Sequence, residues 1–138
     1  KAAFKNITGD GWFVFVAELL HSKVTNGSKN THYVHDCIVA NSKHLIGETF
    51  ESRQDRLASL FLKGCEKEDD RFFWVDEHTW LAKNHKRDFA SLFNTFSAPH
   101  DEGLVLKNPA APLAPCFKPT ANAAWQVKAR RPHANYAF

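Results

Sequence analysis

Residues 101–109 read Asp-Glu-Gly-Leu-Val-Leu-Lys-Asn-Pro, and the rest of the chain is read outward from them. A carboxylate pair meets a glycine, Leu104-Val105-Leu106 follow as a short buried strand, and Lys107 precedes the proline that ends it. The strand begins at an acid and ends at a base, about five residues apart at ~3.3 Å each. Such a strand can floor a pocket, with a metal ligand at one mouth and a phosphate-binding cation near the other. A core strand with charged ends is the plainer explanation, so the flanking segments decide.

The chain has 138 residues, the size of one domain with a real core. Its net charge of +3 permits a polyanionic partner without requiring one. Twelve Phe and four Trp argue for a packed body and against disorder. Cys37, Cys65 and Cys116 are scattered, with no C-x-x-C pair, so neither a disulfide framework nor a zinc site is indicated. A reducing intracellular compartment is expected, cytoplasmic or nuclear, in a cellular or a virus-encoded protein. No run approaches the length of a membrane span and no signal peptide is visible, so no membrane partner is expected. The chain lacks methionine and opens on Lys1-Ala2-Ala3-Phe4, which reads as part of a larger protein.

Asp10-Gly11 is hairpin-turn chemistry. Trp12 to Leu20 then lacks alternation and reads as a strand buried on both faces. Glu18 interrupts it, either at an exposed edge or pointing into a pocket, since a buried carboxylate is costly unless paired or ligating. A turn around Asn26-Gly27 leads to a second strand, His32 to Ala40, with Tyr33, His35 and Cys37 on one face and Val34, Asp36 and Ile38 on the other. His35-Asp36 reads first as a hydrogen-bonded core pair.

Thr49 caps a helix, Glu51 favours its dipole, and Leu57, Leu60 and Phe61 recur at helical spacing up to a C-terminal Gly64. Arg53 and Arg56 read as solvated, or tied to Glu51 and Asp55. Phe72 to Val75 is a short strand, and Asp76 to Phe96 reads as helical with a break near Asn84, its Phe89, Leu92, Phe93 and Phe96 forming a core stripe. Pro109 to Asn122 is a loop. Ala124 to Arg131 alternates with period two, placing Lys128 and Arg130 on one face and Trp125 and Val127 on the other. Two such cations are an exposed edge unless their face shares a pocket with Glu102. There is no Gly-rich phosphate loop, no H-E-x-x-H, no G-x-S-x-G and no repeat. About five strands with two or three inserted helices make an α+β chain with largely antiparallel sheets.

Four of these segments, in order, resemble the covalent nucleotidyltransferases: ATP-dependent DNA ligases, RNA ligases and mRNA capping enzymes. Phe15-Val16-Ala17-Glu18-Leu19-Leu20 resembles motif III, and Tyr33-Val34-His35-Asp36-Cys37-Ile38 with Leu45 and Arg53 to Leu57 resembles motif IIIa and its helix. Glu102-Gly103-Leu104-Val105-Leu106-Lys107 is similar to motif IV, and Trp125-Gln126-Val127-Lys128-Ala129-Arg130 to motif V. The resemblance spans residues 12–131 and is closest to DNA ligases, through Leu104 to Pro109. It implies an ATP-grasp-like ligase adenylation domain that uses ATP and Mg²⁺ on nicked duplex DNA or RNA ends, as a monomer. Glu102 and Glu18 would serve the metal, with Glu18 also reaching the ribose. Lys107, Lys128 and Arg130 would bind the nucleotide and act catalytically by neutralising phosphates, and His35 would stack on the adenine.

Two departures follow. Val16 and Ala17 stand where motif III has Asp-Gly, and motif I, the Lys-x-Asp-Gly whose lysine forms the nucleotide adduct, is missing. Its nearest imitation, Thr8-Gly9-Asp10-Gly11, has threonine at the nucleophile's place and lies too close to Glu18. Residues 1–138 are therefore expected to be part of an adenylation domain without motif I or the OB-fold domain. The alternatives are an RNA ligase, or a degenerate domain that binds nucleotide or nucleic acid without catalysis.

Overall fold

The computed structural model describes residues 4, 7, 10–20, 30–63, 65, 67–96, 103–115 and 125–130. They comprise a mixed set of helices and strands, the strands being β1 (Val14–Leu20), β2 (Thr31–Ala40), β3 (Lys43–His44), β4 (Phe72–Asp76), β5 (Thr79–Ala82), β6 (Gly103–Lys107) and β7 (Gln126–Arg130). The helices are α1 (Phe50–Phe61) and α2 (Phe89–Thr95). The turn expected at Asn26-Gly27 and the cap expected at Gly64 fall outside the described residues. The chain divides into two compact units, residues 1–84 with 109–116, and residues 85–108 with 117–138.

In the first unit the sheet order is β1-β2-β5-β4, with β3 paired to β2. Every pairing is antiparallel except β2 with β5, which is parallel and joined by a connection that carries α1. One face of the sheet packs on α1, with Val34, Cys37, Leu45, Leu57, Phe61 and Leu81 at the centre of the core. The α1 stripe is Phe50, Arg53, Leu57 and Phe61, the inward face of a 3.6-residue period.

Thr49 caps α1 as expected, its Oγ1 accepting from Ser52 N at 3.2 Å. The next two orphan donors find partners in the segment read as a loop. Phe50 N donates to Ala111 O and Glu51 N to Pro109 O, both at 3.0 Å, while Thr49 bridges Pro112. Residues 109–113 thus strap the start of the helix.

Several expectations need correction, among them the buried strand read at Leu104-Val105-Leu106, of which Val105 and Leu106 are exposed. First, β1 is not buried on both faces: it is the outer strand of its sheet, and Val16 to Leu19 are exposed. Gly11 lies against the β2–β3 turn, where a Cβ would meet Asn41 C at 2.7 Å, and Trp12 exchanges hydrogen bonds with Ser42.

Second, residues 76–84 are not helical. Asp76 Oδ1 accepts from His78 N at 2.8 Å, a side-chain turn that folds β5 back on β4. Aromatic pairing then outweighs helical spacing, with Phe72 and Trp80 stacked at 4.1 Å. Third, the α2 stripe is no core, because none of that helix's side chains is buried.

Fourth, Arg53 and Arg56 have other partners than expected. Asp36 belongs to Arg53, which is fully buried rather than solvated. Arg56 pairs with Glu48 instead of Glu51 or Asp55, and its guanidinium holds the Glu48 carboxyl below the usual range.

Candidate functional site

In the second unit, β6 and β7 form an antiparallel ribbon with Gly103 opposite Arg130, Val105 opposite Lys128 and Lys107 opposite Gln126. Directly opposed residues send their side chains to the same face, and the period of two repeats this along the ribbon. Lys107, Lys128 and Arg130 therefore share one face, and Leu104, Leu106, Val127 and Ala129 take the other. Lys128 and Arg130 are exposed and Lys107 is half-buried, its Nζ 5.8 Å above the Trp125 ring. Asn108 N donates to Trp125 O at 2.8 Å and carries the pairing one residue past the strand.

Glycine is required at the head of this ribbon. Gly103 has φ +126°, and a Cβ there would run into the carbonyl oxygen of Ala129. The glycine of the Glu-Gly dipeptide thus has a local cause, the close approach of β7. Glu102 and Asp101 themselves lie outside the described residues.

Glu18 and His35 lie in the first unit. Glu18 is exposed on β1, opposite Tyr33. Val34 joins the core against α1 and Asp36 turns to Arg53, which leaves His35 on the other face beside Tyr33. The sheet therefore carries Glu18, Tyr33 and His35 on one side and α1 on the other.

His35 also sits at an irregularity. Val16 stands opposite Asp36 and Ala17 opposite Val34, so β1 steps over His35 and β2 bulges there. Asp36 beside it is held by Arg53, whose Nε and Nη2 donate to the two carboxylate oxygens at 2.9 Å each. Arg53 Nη1 donates to Glu48 O, and Cys37 N donates to Asp36 Oδ1, both at 2.8 Å. Such a pair withstands burial because its donors and acceptors are matched.

Sequence reading missed this support, although two signals pointed to it. Arg53 falls on the apolar helical stripe, and Asp36 sits in an apolar strand where a lone carboxylate would be expensive. Among the described residues no three His, Cys, Asp or Glu side chains gather for a metal, and no helix is long and apolar enough to cross a membrane.

A family model for the ATP dependent DNA ligase domain matches residues 16–125, from β1 to the foot of β7. The chain belongs to the ATP-dependent DNA ligase domain family. Of the three kinds of covalent nucleotidyltransferase that it resembles, the DNA ligases are the ones this match selects. No curated protein and no solved structure matches the chain.

Proposed function

We propose that the chain is the nucleotide-handling part of an ATP-dependent DNA ligase, which carries AMP on a lysine, passes it to the 5′-phosphate of a nick and seals the break, as replication and repair require. The observation that carries this reading is the placement of Lys107, Lys128 and Arg130 on one ribbon face, in a chain of that family. Three cations along one face of a ribbon are suited to neutralise a polyphosphate and the charge that builds as its α-phosphate is transferred. In the first unit, His35 stacks on the adenine and Glu18 reaches the ribose.

Mg²⁺ takes oxygen ligands and keeps several waters, so one or two carboxylates suffice for it. Glu18, exposed and acidic, fits that chemistry, and Glu102 is proposed as a metal ligand from its place in the sequence alone. When bound, the ion would draw charge from the phosphate oxygens. Free thiols at Cys37 and Cys65 suit a reducing compartment.

No Lys-x-Asp-Gly occurs in residues 1–138, so these residues alone are expected to form no lysine-linked AMP. The test is radiolabelled ATP with Mg²⁺, given to residues 1–138 and to the natural full-length protein, followed by nick sealing with the latter. An adduct and sealing in the full-length protein only is the expected result. An adduct on residues 1–138 would overturn the reading of the missing nucleophile. A second reading, binding without catalysis, is favoured by Val16-Ala17 in the places of Asp-Gly. It predicts that the full-length protein binds ATP or nicked DNA but forms no adduct.

A further inference from the structure

Two consecutive residues of α1 grip two consecutive residues of β2. Arg53 takes the carboxylate of Asp36, and Gln54 Nε2 donates to the carbonyl oxygen of His35 at 3.2 Å. A carbonyl oxygen only accepts, so this bond sets which end of the Gln54 amide faces β2. The other end, Oε1, accepts from Asn84 Nδ2 at 2.8 Å. A relay of two amides therefore runs from Asn84, two residues past β5, through α1, to His35 at a bulge of β2.

A bulge re-aims the side chain it carries, and bulges recur beside functional sites for that reason. The aim is useful only if it is fixed. At His35 the backbone is fixed from the α1 side by Gln54 and one residue later by the Arg53–Asp36 pair. These bonds use the carbonyl of His35 and the carboxylate of Asp36, so none of them uses the imidazole itself.

We propose that Gln54, anchored by Asn84, is a positioning residue that fixes the aim of His35 at the nucleotide base. The inference rests on the reading of His35 as the residue that stacks on adenine, and it goes beyond that reading by assigning the control of the stack to a side chain that never touches the nucleotide. Positioning of this kind acts on contacts to the base and leaves contacts to the phosphates alone.

The test compares two ligands, ATP and inorganic tripolyphosphate, which lacks base and sugar. Binding to the full-length protein is titrated for the parent, Gln54→Glu, Gln54→Leu, His35→Ala and the double variant His35→Ala with Gln54→Leu. Gln54→Glu keeps the shape and the Asn84 contact but loses the donor to His35; Gln54→Leu loses the donor without adding charge. Each Gln54 variant is expected to weaken ATP by roughly fivefold, the scale of one hydrogen bond, and to leave tripolyphosphate unchanged. On top of His35→Ala, Gln54→Leu is expected to cost ATP binding nothing further. A general loosening of the fold would weaken both ligands. If His35→Ala weakens ATP while both Gln54 variants bind it as the parent does, the positioning role is wrong and the stacking reading stands. If His35→Ala leaves ATP binding unchanged, the stacking reading fails and the inference falls with it.

Discussion

Arg53 and Asp36 form the pair on which the sheet and α1 depend. Both are buried, and the guanidinium satisfies both carboxylate oxygens, so removing one partner strands the other in the core. Arg53→Ala is expected to destabilise the chain by about 3–5 kcal/mol, read from urea unfolding. Arg53→Lys should recover only part of this, because an ammonium cannot reproduce the two-pronged contact. A loss within ~0.5 kcal/mol for Arg53→Ala would mean that the pair is not buried as described. Next to Asp36, burial pushes the Cys37 thiol up to about 11, from 9.0. The unfolded chain then ionises first, so the stability from this thiol is complete below pH 9 and is lost as the pH rises toward 11. The melting temperature is expected to fall through that window, with a smaller fall in Cys37→Ala. Equal pH profiles for the two proteins would contradict it.

The elements show what a sequence discloses and what it withholds. Local signals carried through: Thr49 caps α1 where its hydroxyl was expected to, and Thr49→Ala should cost ~1 kcal/mol in urea unfolding. Alternation alone placed Lys128 and Arg130 on one face, and the register of β6 on β7 brings Lys107 to it. Where tertiary pairing decides, the reading failed. Residues 76–84 carry helical spacing, yet an Asp76 turn and an aromatic stack make 79–82 the second strand of a hairpin with β4. Trp12 to Leu20 looks buried because it is apolar, but an outer strand exposes such residues without any local sign. Gly103 combines both kinds of information. Its place after Glu102 was legible, whereas the contact that demands it, the Ala129 carbonyl, comes from β7. Gly103→Ala is expected to break the ribbon at its head and to cost at least about 2 kcal/mol. Amide hydrogen exchange along β6 and β7 measures this directly, and unchanged protection would contradict the close approach.

At the scale of the whole molecule, the proposed parts are divided between two units, with Glu18 and His35 in one and the cationic ribbon in the other. The ribbon's share in the proposed function can be tested by itself. Lys128 is exposed, so its removal should leave folding nearly intact, while Val127 on the opposite ribbon face is 62 % exposed and provides a control. If the ribbon merely protects an edge, Lys128→Ala changes stability by no more than ~0.5 kcal/mol and does not change the rate. If it neutralises the α-phosphate as charge builds, the rate of transfer falls. The deciding measurement is single-turnover adenylylation of the full-length protein, comparing the parent with Lys128→Ala and Val127→Ala. The expected result is a rate roughly 10²–10³-fold lower for Lys128→Ala with Val127→Ala unaffected, the scale seen when one charge-stabilising group is lost. Equal rates for the parent and Lys128→Ala would contradict the assignment of the cationic ribbon to phosphate transfer.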